Sequence, residues 1–268
     1  MTPFRPIRLI KAHAYGNDFL IVAANDVAAI DDLADLARRA CDRHRGVGAD
    51  GLMLVADTPG GARMRLFNAD GSRSELSGNG ARCVGAWLAS ARGLGEGDRV
   101  TIETEAGPKV LTVLERVHGR AEFRAAMGPP EQIRQVEIEV DGQPVAAVVL
   151  RVGNPQCVVL GPATADRLAT LAAKLAVHPV FPAGSNVELA HVDAPDRVRI
   201  LIWERGVGPT EASGTGACAS AVAAIAYGGA ARDVQVVSPG GAQRVEWTDA
   251  GLFLTGWAEV LFDGRWTA

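Results

Sequence analysis

The residues best suited to chemistry belong to a stretch that occurs twice in this sequence. The copies, E-L-S-G-N-G-A-R-C at Glu75–Cys83 and E-A-S-G-T-G-A-C at Glu211–Cys218, share the pattern E-x-S-G-x-G-A. Their serines, Ser77 and Ser213, lie 136 residues apart in a chain of 268, which predicts two related lobes. Each copy enters an alanine-rich apolar segment typical of a buried helix. The N-terminus of such a helix offers free backbone N–H groups and a positive dipole end, so two of them could hold a small acid between two serine hydroxyls.

Further polar residues lie where predicted strands meet turns, which is where proteins often place functional groups. An asparagine amide both donates and accepts hydrogen bonds and suits the ammonium and carboxylate groups of an amino acid. An arginine suits a distal carboxylate through two parallel hydrogen bonds. The alternative is that each asparagine only satisfies its own turn and that the Glu–Arg pair is a surface ion pair. The residues concerned are Asn17, Asn68, Asn154, Asn186, Glu204 and Arg205.

The elements that must position these residues are many short strands and few helices. Helical spacing is present from Asp31 to Arg45 and from Thr164 to Leu175, and a short closing strand is expected at Val260–Phe262. Many strands plus one apolar helix in each half predict an α+β fold and not a doubly wound parallel sheet. Gly128-Pro129-Pro130 is the expected boundary between lobes at residues 1–128 and 129–268, with the last strand either in the second lobe or returned to the first.

Composition limits the class of protein. Lysine and arginine number 27 against 31 acidic residues, so the net charge of −4 gives no support to nucleic-acid binding. The sequence has no apolar run long enough to cross a membrane and no signal-peptide pattern. Its four cysteines form no C-x-x-C pair, which disfavours a metal site and a disulfide scaffold. We expect them to be small buried side chains in a cytoplasmic protein.

Several motifs together resemble those of the diaminopimelate epimerase family. The repeats contribute S-G-N-G-A-R-C and E-R-G-x-G-x-T-x-A-x-G-T-G-A-C-A, which are highly specific in these contexts. The remaining motifs follow in the family's order along nearly the whole chain. They are G-N-D-F at Gly16–Phe19, D-R-H-x-G-V-G-A-D-G at Asp42–Gly51, F-N-A-D-G-S at Phe67–Ser72 and G-N-P at Gly153–Pro155.

The resemblance implies two pseudosymmetric lobes, each a barrel-like, mostly antiparallel sheet around a central helix, with the active site in the cleft between them. It also implies a homodimer that needs neither pyridoxal phosphate nor a metal, and no nucleic-acid or membrane partner. The reaction would be epimerisation of LL-diaminopimelate, a small diamino-dicarboxylic acid, to the meso form in lysine biosynthesis. Ser77 and Ser213 stand at the acid and base positions, and the asparagines, Glu204 and Arg205 would bind the substrate. Backbone N–H groups would meet its α-carboxylate at Gly78, Asn79, Gly80, Gly214, Thr215 and Gly216.

The sequence departs from the family pattern at the positions of the catalytic residues. The family uses two cysteines where this chain has Ser77 and Ser213, and Gln156 replaces the histidine usual after G-N-P. A thiol titrates near pH 8.5, a serine hydroxyl is a far weaker acid, and each pKa unit is worth about 1.4 kcal/mol. The serines are either native or introduced; Gln156 favours a native variant. A slow epimerase, a related racemase, isomerase or lyase for another acid, and a silent amino-acid-binding homologue all remain open.

Overall fold

The computed structural model describes residues 6–74 and 77–267. The chain divides into two compact units. The first comprises residues up to Ala125 together with those from Trp257 onward, and the second comprises Ala126–Gly256.

The first unit is a mostly antiparallel sheet that closes around one helix. Its strands run in the order β17-β1-β2-β3-β4-β6-β7-β8, and the N–H of Val260 donates to the carbonyl of Gly119 at the closing edge. Two pairs are parallel, β2 with β3 and β4 with β6. The strands are β1 (Ile7–Ala14), β2 (Asn17–Ala23), β3 (Gly51–Thr58), β4 (Gly61–Asn68), β5 (Arg73–Ser74), β6 (Arg99–Thr104), β7 (Gly107–Val117), β8 (Arg120–Ala126) and β17 (Gly251–Trp266), of which β8 and β17 extend into the second unit.

The helix inside this sheet is α2 (Gly78–Arg92), which packs against β1, β2, β4, β6 and β7. Its approach is close: a methyl group at Gly85 would lie 2.6 Å from Cδ1 of Leu111. On the outer face, α1 (Leu33–Cys41) packs Leu36 and Ala40 onto the sheet. A 3₁₀ turn at Ala24–Val27 precedes α1. The helix predicted to run to Arg45 ends earlier because Asp42 turns the chain and accepts hydrogen bonds from the N–H groups of His44 and Arg45.

The second unit repeats this order of elements around α5 (Gly214–Tyr227). Here β11 with β12 and β13 with β15 are the parallel pairs. Its strands are β9 (Glu131–Val140), β10 (Gln143–Val152), β11 (Asn154–Leu160), β12 (Asn186–Ala194), β13 (Arg197–Glu204), β14 (Gly208–Thr210), β15 (Asp233–Ser238), β16 (Gly241–Thr248) and the first part of β17. The α+β fold with two barrel-like lobes is therefore confirmed.

The helix predicted at Thr164–Leu175 is present as α3 (Ala165–Arg167), a π turn at Leu168–Ala172 and α4 (Ala173–Ala176). It covers the outer face of the second sheet, where Leu168 and Leu175 are buried against β10, β11 and β12. The short strand expected at Val260–Phe262 is instead part of the 16-residue β17. Both faces of the central strands in this unit are thus covered, one by α5 and the other by the α3–α4 segment.

The matching order of strands makes residues of the two units equivalent. Phe19 in β2 pairs with Gly51 in β3, and Gln156 in β11 pairs with Asn186 in β12. Two residues further along each second strand come Met53 and Glu188. Both side chains lie at the N-terminus of the central helix of their own unit.

Candidate active site

The two serines of the repeat begin the two central helices. The side chain of Ser77 caps α2 by accepting a hydrogen bond from the N–H of Gly80 at 2.9 Å, and Ser213 caps α5 by accepting one from Gly216 at 3.2 Å. Both serines have extended backbone conformations, as N-cap residues usually have. Serine is among the best N-cap residues, so the local structure follows directly from the sequence. Glu75 and Leu76 of the first copy lie outside the described residues.

These caps modify the anion site expected from the sequence. The amides of Gly80 and Gly216 were expected to face a substrate carboxylate, but each is already bonded to the serine of its own helix. The N–H groups earlier in each helix, at Gly78 and at Gly214 and Thr215, have no acceptor within the helix because of their position. They remain the backbone donors that this geometry offers to an anion.

In the first unit, Asn17 and Asn79 belong to one chain of hydrogen bonds. The amide of Asn79 donates to Oδ1 of Asn17 at 3.2 Å, and the amide of Asn17 donates to Asp50 at 2.7 Å. Arg82 donates to Oδ1 of Asn79 and is 2% exposed, with its guanidinium 5.6 Å from the centre of the Tyr15 ring. The chain therefore links a buried cation on α2 to the first residue of β2.

A cluster of ion pairs fixes the strand ends that carry this chain. Arg43 lies 2.7 Å from Asp18 and 2.8 Å from Asp50, and Lys11 lies 2.8 Å from Asp18. Burial by itself would raise the pKa of Asp18, but the hydrogen bonds and charges of Arg43 and Lys11 outweigh it and the pKa is lowered. The D-R-H-x-G-V-G-A-D-G motif thus has a structural task here, which is to hold β2 against β3.

Asn68 lies at the end of β4 and serves its own turn. Its amide donates to Oγ of Ser72 at 2.9 Å, and its N–H donates to the Ser72 carbonyl at 2.8 Å. The side chain is half-buried. In this structure Asn68 makes the contacts of a turn residue, and its expected role in substrate binding stays a prediction.

The second unit places three of the remaining predicted residues at the ends of β11, β12 and β13. Asn154 accepts a hydrogen bond from the Gln156 amide at 2.6 Å, and Asn186 accepts one from the N–H of Arg205 at 2.9 Å. The exposed Arg205 side chain donates to the carbonyl of Ala183 at 2.8 Å. Glu204, beside Arg205, is half-buried. These contacts order the loops after the strands and leave part of the Arg205 guanidinium available.

The residue that sequence reasoning missed is Glu188 in β12. It has no exposed surface, and within the part of the chain that the structure describes neither carboxyl oxygen has a hydrogen-bond partner. Burial first, and then the charge of Glu204, raise its pKa well above the ordinary value. In the sequence N-V-E-L-A, Glu188 alternates with Val187 and Leu189 and suggests a solvent-facing position. The alternation misleads because β12 is covered on both faces, by α5 on one side and by the α3–α4 segment on the other.

Glu188 lies beside the cap of α5, and Met53 occupies the equivalent place at α2. A methyl group at Gly216 would lie 2.7 Å from Oε1 of Glu188 and 3.2 Å from Cβ of Ser213. A methyl group at Gly80 would lie 2.9 Å from the sulfur of Met53 and 3.2 Å from Cβ of Ser77. Glycine at the third helical position therefore leaves room for a strand side chain against each capping serine. That side chain is a thioether in one unit and a carboxyl in the other.

The cysteines take no part in this arrangement as reactive groups. All four are free and buried, as predicted. Burial raises the pKa of Cys41 and of Cys157 to about 12 and raises that of Cys83 as well. Among the described residues no group of three or more His, Cys, Asp and Glu side chains could hold a metal ion, and no helix is both long and apolar enough to span a membrane.

Comparison with known proteins identifies the family. The family model described as diaminopimelate epimerase matches residues 9–133 and 148–261. The chain belongs to the diaminopimelate epimerase family. A curated relative named diaminopimelate epimerase, from Desulforudis audaxviator, is 44% identical over 277 residues, which cover 96% of this chain and 98% of the relative. The resemblance inferred from the motifs is thereby confirmed, and so is the predicted enzyme class, because diaminopimelate epimerases are isomerases.

Solved structures place the diaminopimelate epimerase fold of this chain among related folds. A hydroxyproline epimerase from Agrobacterium vitis, solved with bound trans-4-hydroxy-L-proline, has a TM-score of 0.71 and 16% identity and covers 99% of this chain and 92% of its own. A phenazine biosynthesis protein of the PhzF family from Bacillus anthracis has a TM-score of 0.71 and 17% identity and covers 98% of this chain and 99% of its own. At such low identity these likenesses concern the fold alone.

Proposed function

We propose that this protein epimerises LL-diaminopimelate to the meso form in lysine biosynthesis, without a cofactor, and that Ser77 and Ser213 stand at the acid and base positions. The observation that carries the proposal is the pair of serine-capped helices, one in each unit of a member of this family. Each cap places a hydroxyl at the positive end of a buried helix, where negative charge is stabilised. Such charge develops on the α-carboxylate as the α-proton leaves.

The other predicted residues would bind the substrate. The backbone N–H groups of Gly78, Gly214 and Thr215, in the first turns of the two helices, suit the α-carboxylate, and the asparagine side chains suit the ammonium groups. Arg205 keeps part of its guanidinium free for a distal carboxylate. We assign these roles to Asn17, Asn68, Asn79, Asn154, Asn186, Glu204 and Arg205. In line with the resemblance we also assign a cytoplasmic homodimer, which light scattering of the purified protein would test.

Serine makes the proposed reaction slow. The proton of a serine hydroxyl is held far more tightly than that of a thiol, and every pKa unit costs about 1.4 kcal/mol, or tenfold in the amount of ionised base. Serine becomes an effective base only when a second group takes its proton. Among the described residues no His, Lys or carboxylate hydrogen-bonds either serine hydroxyl.

Incubation with LL-diaminopimelate in deuterated water tests the proposal. Nuclear magnetic resonance should show deuterium at the α-carbon and formation of the meso isomer. The double variant Ser77→Cys with Ser213→Cys should increase the exchange rate at least ~100-fold, because thiolates replace hydroxyls at both positions. A double variant that binds the substrate and still exchanges nothing would show that the base positions are assigned wrongly.

A second candidate function is binding without turnover. It is favoured by the capping contacts themselves, since each hydroxyl oxygen already accepts a helix N–H. Calorimetry that detects binding of LL-diaminopimelate, together with no exchange after prolonged incubation of the wild-type protein, would support this candidate over the first. Loss of a β-substituent from a substrate analogue would instead indicate a lyase reaction on a related acid.

A further inference from the structure

The feature that the proposed function leaves unexplained is the carboxyl of Glu188. A fully buried side chain with two unpartnered oxygens is costly, because a buried polar atom without a hydrogen bond loses the free energy of its hydration. Replacement by an apolar residue would remove that cost. The first unit has such a residue, Met53, at the equivalent position.

The carboxyl points to the place where proton transfer is proposed. Oε1 of Glu188 and Cβ of Ser213 both contact the space left by the missing side chain of Gly216, at 2.7 Å and 3.2 Å. They are therefore at most about 6 Å apart, a separation that the Ser213 hydroxyl and one bridging water molecule span. Other buried polar residues in this unit are Asn186, which shares the Glu188 face of β12, and Gln156 and Ser220, whose Oε1 and Oγ also have no partner among the described residues.

The titratable and charged groups around Glu188 are few. From β13 the Glu204 charge disfavours ionisation, and from β11 the Cys157 thiol senses the Glu188 charge. From α5 no charged side chain faces Glu188, because the helix has no Asp, Glu, Lys or Arg. No cation among the described residues offsets the burial of this carboxyl, so no ion pair holds it in the charged form.

We propose that Glu188 is the proton partner of Ser213, exchanging a proton with its hydroxyl during transfer at the α-carbon. The proposal rests on the proposed function. In one direction Ser213 Oγ takes the α-proton while its own proton passes to the Glu188 carboxylate. The C–H bond breaks, a new Oγ–H bond forms, and the electron pair remains on the substrate as a carbanion delocalised into its carboxylate. In the reverse direction neutral Glu188 returns the proton through Ser213. Glu188 does not contact the substrate; it acts through Ser213, by accepting the hydroxyl proton and returning it.

The first test is the exchange rate of LL-diaminopimelate in deuterated water as a function of pH. Glu188→Gln keeps the shape and removes the exchangeable proton, so we expect at least a ~100-fold loss of rate, little change in KM, and loss of the pH inflection that Glu188 contributes. Glu188→Asp should restore part of the rate and keep an inflection. Met53→Leu, the matched change beneath α2, should stay within about threefold of the wild type. An unchanged rate and pH profile in Glu188→Gln would overturn the proposal.

The second test needs no turnover and separates this proposal from the proposed function. Carbon-13 nuclear magnetic resonance of glutamate-labelled protein should show one carboxyl that titrates well above the ordinary range and disappears in Glu188→Gln. Ser213→Ala should shift that titration, whereas Ser77→Ala should not. If the wild type exchanges no α-proton but the Ser213 dependence is present, the epimerase proposal fails and the pairing of Glu188 with Ser213 stands. A Glu188 titration that is the same in Ser213→Ala refutes the pairing.

Discussion

The two units have the same helix cap but differ in the charged and polar side chains that surround it. In the first unit the cap of α2 has the thioether of Met53 beneath it and the buried cation Arg82 within the next turn. In the second unit the cap of α5 has the carboxyl of Glu188 beneath it, and Cys218 takes the place of Arg82 five residues after the serine. Backbone geometry is therefore duplicated while charge is not. The repeated sequence determines where each capping serine lies, and the side chains that neighbour it on other elements determine its acidity.

The largest expected effect of this difference concerns a thiol introduced at either cap. A cysteine at position 77 lies at a helix N-terminus near a buried cation, and one at position 213 lies beside a buried carboxyl. Because a nearby cation lowers a thiol pKa and a buried carboxyl gives no such lowering, we expect Ser77→Cys to have a pKa about two units below that of Ser213→Cys, or ~100-fold more thiolate at neutral pH. The pH dependence of alkylation by iodoacetamide measures both. The reverse order of the two pKa values would show that Arg82 and Glu188 do not control the caps.

The second-largest expected effect concerns the ion pairs of Asp18 with Lys11 and Arg43 in the first unit. Asp18 is replaced at the equivalent position by Pro155, which makes no ion pair. Asp18→Asn should lower the free energy of unfolding by about 2 kcal/mol at neutral pH, because Lys11 loses its ion-pair partner and Arg43 loses one of its two. Folding lowers the pKa of Asp18. Asp18 therefore stabilises the fold at a pH above the pKa that it has in the unfolded chain, and this stabilisation is lost as the pH falls through its pKa in the folded protein. Urea unfolding from neutral to acidic pH should show the two proteins converging in acid.

A smaller effect of opposite sign is expected for Glu188→Met, which gives the second unit the side chain of the first. Removing an unpartnered buried carboxyl should raise the free energy of unfolding by about 1–2 kcal/mol at neutral pH. Folding raises the pKa of Glu188. The wild-type protein is therefore most stable at a pH below the pKa that Glu188 has in the unfolded chain, and its free energy of unfolding falls as the pH rises through the pKa of the folded protein. The gain from Glu188→Met should therefore grow with pH in urea titrations. A gain that does not depend on pH would mean that Glu188 keeps its ordinary pKa.

The smallest effect should be equal in the two units. Ser77→Ala and Ser213→Ala each remove one N-cap hydrogen bond and should each lower the free energy of unfolding by about 1 kcal/mol. The corresponding glycine variants should cost only a few tenths. Thermal unfolding at one pH compares all four variants. A clearly larger loss at one serine would indicate that it does more for the fold than cap its helix.

The sequence predicted where the two central helices begin and the fold class because both depend on local patterns. The serines, the glycines after them and the apolar helices are contiguous in the chain, and the repeat itself implied two lobes. The use of the Gly80 and Gly216 amides by the serines was missed, although the capping preference of serine could have indicated it. Glu188 could not be found in this way. Its environment is made by β11, β13 and α5, which are distant in sequence, and burial of both faces of a strand is a property of the assembled unit.

The long last strand has a consequence for how the chain is synthesised. β1 pairs with the end of β17, with Ile7 opposite Trp266 and His13 opposite Glu259, so the first strand meets a partner that is translated only after the whole second unit. Until β17 has left the ribosome, one edge of β1 has unpaired backbone groups that can join other chains. The first unit therefore cannot complete its sheet before the second unit has been synthesised, in contrast to the usual order in which N-terminal domains fold first. A chain truncated after Gly256 should leave that edge permanently open and be prone to aggregate, even though it retains every residue proposed for the active site.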